Sequence, residues 1–273
     1  MITADYHMHT HHSGDSTAPM EDMIKSSIDK GLTDICFTEH VDFDYPECYE
    51  GVGKDTFTID TDAYRNEVFK YREAYRNKIH MGFGVEIGMQ EYLAKENSAY
   101  IKENNFDFII ASQHLVSRID PFYQSFWESD TAENLYKKYF DQVYDNINLF
   151  DDFDVLGHLD YLTRYAPKED TTYSYERFSY KIDRILIYLI EHGKGLDFNS
   201  KVFGGERVLP PNPCPEVLKR YKQLGGKIIT IGSDAHSPLK VAAGFDRMRE
   251  IALECGFTEY YTFKNRIPTP HSL

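Results

Sequence analysis

"MEDMIKSSIDKGLTDICFTEH", residues 20–40, divides into two halves with different periods. In the first, Met20, Met23 and Ile24 recur at helical spacing, and Gly31 stands where a helix C-terminus favours glycine. In the second, "TDICFTEH" (33–40) is a short apolar run that reads as a strand. The same rhythm recurs along the chain. Strands are expected in "IHMGFGVEIG" (79–88), "FDFIIASQHLV" (106–116), "FDVLGHLDYL" (153–162), "KGLDFNS" (194–200) and "KIITIGSDAH" (227–236). With the opening segment around "DYHMH" they make seven. Helices are expected near 62–76, 91–104, 131–149, 176–192 and 214–224, each long enough for a crossover. Strands alternating with helices imply a parallel α/β architecture. No linker or low-complexity segment interrupts it, so residues 1–273 are expected to form one barrel-like domain. A final "EYYTFKNRIP" (259–268) is read as a short closing strand.

Composition narrows the function classes. The formal charge of −14 argues against nucleic acid held by a broad basic surface, because that mode neutralises phosphates with many lysines and arginines. No stretch approaches the ~20 apolar residues of a membrane-spanning helix. Cys36, Cys48, Cys214 and Cys255 lie far apart without paired spacing, which points to the cytoplasm rather than to a disulfide framework. Oligomeric state is not legible.

In a parallel barrel, chemistry collects at the C-terminal ends of the strands. The polar residues fall there. The expected strands end in His7 and His9, His40, Glu86, His114, His158, and Asp234 with His236. Each alone has a bland explanation as a satisfied core or surface group, but six strands of seven delivering a metal-type ligand at one end do not. Histidine mixed with carboxylate suits zinc, manganese or iron better than calcium. With Asp15, about nine candidates exceed what one ion takes, so two or three ions are expected, with a carboxylate such as Glu86 as bridge.

Together, "HMHTHHSGDS", "FTEH", "GVEIG" and "GSDAH" resemble the motifs of the PHP family, named for polymerase and histidinol phosphatase. "IIASQHLV", "FDVLGHLDYLTRYAP" and "LDFNSKVFGGERVLPPNPCPEVLKRY" are similar to its histidinol-phosphate phosphatase branch. The resemblance implies a distorted (β/α)7 barrel with a trinuclear site. His7, His9, Glu86 and Asp234 would hold one divalent ion and Glu86, His114 and His158 a second. Asp15, His40 and His236 would hold a third, Asp15 standing where relatives often have histidine. His11 and His12 have no firm counterpart and are read as surface or supporting residues.

The implied activity is metal-dependent hydrolysis of a small phosphomonoester, L-histidinol phosphate, with hydroxide made available near neutral pH by the ions. Arg164 and Arg207 are the candidate phosphate clamps, since a guanidinium donates two parallel hydrogen bonds. Arg118 is a lesser candidate. Asp160, two residues past His158, is read either as the acid for the leaving group or as an orienting group. Trp127, in the aromatic loop 118–130, is a candidate for stacking on the imidazole or a member of a packing cluster. The rival readings are a related phosphoesterase acting on another small target or a phosphotyrosine peptide, a metal-dependent amidohydrolase, and a catalytically silent metal-binding regulatory protein.

Overall fold

The computed structural model describes residues 1–53, 55–204 and 209–273; Arg207 lies outside the described residues. After a two-residue strand β1 (Ala4–Asp5), helix α1 spans Met20–Asp29 and buries Met20, Met23, Ile24 and Ser27. Gly31, at φ 78°, ends it. The Gly31 N–H donates to Ile28 O and the Leu32 N–H to Ser27 O, a paired closure that turns the chain straight into β2 (Asp34–Val41).

The alternation continues with α2 (Thr61–Ala74), β3 (His80–Gly88), α3 (Ala94–Asn104) and β4 (Phe108–Ser112). A short α4 (Gln124–Trp127) and the long α5 (Ala132–Leu149) precede β5 (Val155–Leu156). Then come α6 (Tyr175–Glu191), β6 (Gly195–Asn199), α7 (Pro215–Gln223) and β7 (Ile229–Gly232). Asp60, Thr131 and Ser174 cap α2, α5 and α6 by accepting a backbone N–H three residues on. In α6, Phe178, Ile182, Ile185, Leu186 and Leu189 form the buried stripe that packs on the sheet.

The seven strands are parallel and lie in sequence order from β1 to β7. The ends then meet: Tyr6 N–H donates to Ile231 O (2.9 Å), Asp234 N–H to His7 O (2.7 Å), and Met8 bridges Ala235. Close approach is required here, because a Cβ on Gly232 would stand 2.3 Å from that of His7. The result is a nearly closed barrel of seven βα units, in agreement with the expected fold. Its strands are buried on both faces, inward by side-chain layers and outward by helices, which explains their continuous apolar runs.

Two elements differ from the sequence reading. Helix α8 (Phe245–Glu254) was not anticipated, although Phe245, Met248, Ile251 and Ala252 give it an apolar face. The segment read as a closing strand is instead an antiparallel hairpin, β8 (Glu259–Lys264) with β9 (Ile267–Ser272), outside the barrel sheet. Its turn residues Asn265 and Arg266 both have positive φ, the geometry that matches strand twist in a tight hairpin. The hairpin covers the N-terminal end of the barrel. Tyr6 Oη donates to Phe263 O (3.1 Å), Thr3 N–H to Tyr260 Oη (3.2 Å), and Arg266 Nε to Asp154 Oδ1 (3.1 Å).

Candidate metal centre and active site

The parallel register sets the centre. His40 and Glu86 are direct neighbours across β2 and β3, so both side chains leave the sheet on the same side. Beyond β1, the extended chain places His7 and His9 on that side too, with ring centroids 5.1 Å apart. Glu86 is fully buried and lies between five imidazoles. Its Oε2 stands 3.1 Å from His7 Nε2, 3.0 Å from His40 Nδ1 and 3.6 Å from His9 Nε2. Its Oε1 stands 2.9 Å from His158 Nε2 and 3.3 Å from His114 Nε2, and also accepts from Ser112 Oγ (2.6 Å). Asp234 Oδ1 is 3.6 Å from His9 Nε2, and Asp15 Oδ2 is 2.9 Å from His236 Nε2 and 3.7 Å from His40 Nε2. The structure thus gathers His7, His9, Asp15, His40, Glu86, His114, His158, Asp234 and His236 at one end of the barrel.

Glu86 Oε1 is hydrogen-bonded to His158 Nε2 and Ser112 Oγ, but the contacts around Oε2 are not hydrogen bonds. His7 Nε2, His9 Nε2, His40 Nδ1, His236 Nε2 and Glu86 Oε2 are buried without a hydrogen-bond partner among the described residues. Unpaired polar atoms in the interior are costly, and here they face one another. A shared cation accounts for that arrangement. Donors of His7, His9 and Asp234, of His7, Glu86 and His158, and of His9, His40 and His236 each lie within 4.8 Å of one another. The residues present fit divalent metal.

The opposite ring nitrogens are held. His7 Nδ1 meets Asp197 Oδ2 at 2.9 Å, His9 Nδ1 meets Ser13 Oγ at 3.2 Å, and His114 Nδ1 meets Asp42 Oδ1 at 2.9 Å. Such contacts fix the ring orientation and tautomer, leaving Nε2 for a ligand. Sequence reading missed Asp197, Asp42 and Ser13. Asp42 had a signal, since it lies two residues past His40. Asp197 sits on β6, the strand to which no ligand had been assigned.

Electrostatics differ from ring to ring. Burial, reinforced by His40, His236 and His7, holds His9 well below the usual imidazole range, and burial with the Arg164 charge lowers His158 to about 4. Neutral imidazole is the ligating form. Burial also opposes charge on His7 and His114. Glu86 and Asp197 outweigh it at His7, as Asp42 and Glu86 do at His114, so both are raised. Burial alone would push the Glu86 carboxyl up, but His7, His114 and His40 hold it well below the carboxylate range. Asp234, at φ 50°, is held down against burial by Lys201, His7 and Arg164.

A cavity of about 310 Å³ opens over this cluster. Its walls carry Tyr45, Phe57, Phe122, Tyr123, Tyr161 and Tyr165, with the carboxylates Asp42 and Asp120. Arg164 lines it, and its guanidinium is fixed on three sides. Nη1 donates to Asp234 Oδ2 (2.9 Å), Nε to Asn212 Oδ1 (2.8 Å) and Nη2 to Asn199 Oδ1 (2.8 Å). Lys201, another residue sequence reading missed, donates from Nζ to Asp234 Oδ1 at 2.9 Å and lines the same wall.

Three expectations are placed differently. The Asp160 carboxylate is buried off the cavity and accepts from Asn212 Nδ2 (2.6 Å), Cys214 N (2.8 Å) and Tyr173 Oη (2.9 Å). That geometry leaves the orienting alternative: Asp160 fixes Asn212, which fixes Arg164. Arg118 does not reach the cavity, because Asp44 pairs with it on the surface and its guanidinium lies over the Tyr92 ring. Trp127 belongs to the packing cluster, its Nε1 donating to Pro121 O (2.9 Å) and its ring against Phe126 and Tyr136. From the same loop, Phe122 and Tyr123 line the cavity instead.

Similarity to known proteins agrees in extent. A Clostridium acetobutylicum protein named "Probable histidinol-phosphatase" is 31% identical over 263 residues, covering 96% of this chain and 97% of its own. A "Histidinol-phosphatase" of Lactococcus lactis is 30% identical over 264 residues, covering 96% and 95%. The crystal structure of histidinol phosphate phosphatase from Lactococcus lactis, complexed with zinc, L-histidinol and phosphate, superposes with a TM-score of 0.87. It is 29% identical in sequence, and the match covers 98% of each chain. The model of the PHP domain matches residues 5–201, a span that begins beside the first paired histidines and runs through β6 to the lysine on Asp234. Strands β2 to β6 and every residue of the cluster except Asp234 and His236 fall inside that match, and the chain belongs to the PHP domain family.

Proposed function

We propose that this chain is a histidinol-phosphatase, a metal-dependent phosphomonoesterase that hydrolyses L-histidinol phosphate to L-histidinol and phosphate in histidine biosynthesis. The observation that carries the reading is the Glu86 carboxylate, set among five imidazoles with Oε2 and the facing nitrogens of His7, His9 and His40 unpaired, beneath a cavity walled by aromatic rings. The relatives named above support the substrate. We assign His7, His9, Glu86 and Asp234 to one ion, Glu86, His114 and His158 to a second, and Asp15, His40 and His236 to a third. Zinc is the favoured metal, since the Lactococcus lactis structure holds it, with manganese and iron as the alternatives. Divalent ions supply Lewis acidity there, making hydroxide available near neutral pH and offsetting phosphoryl charge.

The protein's own side chains do the rest. A guanidinium has five N–H groups, and Arg164 commits three of them to Asp234, Asn212 and Asn199, so the others are available to phosphoryl oxygens. Lys201 adds a point charge on the same wall, and Asp234 keeps both cations in place. In the same cavity Asp120, fixed by the Tyr45 hydroxyl and the Phe122 N–H, is suited to the cationic amine of the substrate, and the aromatic rings to its imidazole. Arg207 remains a proposed second clamp. Residues 1–273 act as one domain in this reading, placed in the cytoplasm, with a small molecule rather than a nucleic acid as substrate. Among the described residues, no helix is long and apolar enough to cross a membrane.

Phosphate release by the metal-loaded protein decides the matter. The expected result is a kcat/KM on L-histidinol phosphate at least about 100-fold above that on a phosphotyrosine peptide or a generic aryl phosphate. Activity on none of these would leave the silent metal-binding protein as the better account.

A further inference from the structure

His11 and His12 extend the opening histidine run but take no part in the central cluster, and neither lines the cavity. They are brought to a different carboxylate. Glu67, on α2, presents Oε2 to both imidazoles: His12 Nε2 lies 2.6 Å away and His11 Nε2 3.4 Å away, the rings 4.3 Å apart. Donor atoms of all three residues fall within 4.8 Å of one another. An ordinary hydrogen bond explains His12 on Glu67. It does not explain why a second imidazole approaches the same oxygen, since two protonated rings this close would repel.

We propose that His11, His12 and Glu67 form a peripheral, exchangeable site for a first-row divalent transition ion such as zinc. Two neutral imidazoles and one carboxylate are the donor set such ions take, whereas calcium and magnesium prefer oxygen alone. Three protein ligands leave coordination positions for water. His11 is half-exposed, so those positions face solvent and the ion exchanges readily. The site also joins two elements. His11 and His12 ride on the loop that carries Ser13, which orients His9, and Asp15, whereas Glu67 belongs to a helix on the barrel's outer layer. An ion bound there ties that loop to α2.

The test is a metal count on holoprotein. Protein carrying its tightly held ions is equilibrated by dialysis against zinc chloride at increasing concentration, and bound zinc is measured by elemental analysis for the natural chain, His11→Ala and Glu67→Gln. The natural chain is expected to take up one further equivalent that both variants lack, while ions retained after exhaustive dialysis in zinc-free buffer remain equal in number. Cobalt substitution provides a second readout, with the visible absorption of the added equivalent absent from the variants. Both substitutions are at partly exposed positions, and circular dichroism checks that the fold is kept. Identical uptake curves for the three proteins, or an added equivalent that survives both substitutions, would overturn the assignment.

Discussion

His7 Nε2 and Glu86 Oε2 face each other at 3.1 Å, both fully buried, and neither has a hydrogen-bond partner among the described residues. Ions that satisfy such atoms stabilise the fold by mass action, by about 3 kcal/mol when present at a hundred times Kd. Chelation is therefore expected to lower Tm by roughly 5–10 °C as well as abolish turnover, with zinc or manganese restoring both. Glu86→Gln should lose bound metal and more than about 100-fold in kcat/KM. An unchanged melting curve after complete metal removal, verified by elemental analysis, would contradict the reading.

Arg164 should not tolerate lysine. Lys keeps the charge but cannot reach Asp234, Asn212 and Asn199 together, so kcat/KM is expected to fall at least about tenfold with KM for the phosphomonoester rising. Arg164→Ala leaves buried Asp234 short of a partner and should cost about 3 kcal/mol of stability, measured by urea unfolding.

Asp160→Asn separates positioning from proton donation. The substitution sets an amide N–H₂ against donors from Asn212, Cys214 and Tyr173, and should loosen Arg164 through Asn212. A fall of about tenfold in kcat/KM with an unaltered basic limb in the pH–rate profile is expected. Loss of that limb would make Asp160 the acid after all.

Asp120→Asn tests the amine wall. KM for L-histidinol phosphate should rise about tenfold while that for an aryl phosphate lacking an amine stays within twofold, roughly the difference expected for one charge-assisted contact. Arg118→Ala, turned outward onto Asp44, should alter neither.

Away from the site, Asp154 sets a pH dependence of stability. Burial pushes its carboxyl from 3.8 up to about 6, against the pull of Arg266. The folded state therefore holds a proton that the unfolded chain has released, so this group's contribution falls as pH rises through that interval, by about 3 kcal/mol in full. Urea unfolding of metal-stripped protein at pH 4, 5, 6 and 7 should show the natural chain losing stability relative to Asp154→Asn. Parallel curves would refute the assignment.

The barrel was legible because periods of two and 3.6 alternate cleanly, and because ligand-type residues recur at one end of the strands. What escaped was pairing across the closed sheet. Asp197 meets His7 from 190 positions away, and no local pattern announces it. Arg118 and Trp127 stood in the right loop with the right chemistry, but a neighbouring aspartate and a carbonyl claimed them. Asp160 was placed at the correct strand end and its two roles could not be divided without seeing Asn212. The C-terminal hairpin was misjudged because its alternation suits any edge, and the Asn265–Arg266 turn needed only two positive φ values to fold it back on itself.

Barrel closure between β1 and β7, sealed by a contact between Thr3 and Tyr260 across 257 positions, has a bearing on biogenesis. During translation His7 and His9 emerge well over 200 residues before Asp234 and His236, so no fragment released before β7 can assemble the centre. A nascent chain still lacking β7 and the segment after it would hold its clustered histidines without Asp234 and His236, and such a species is a candidate for chaperone retention rather than premature metal capture.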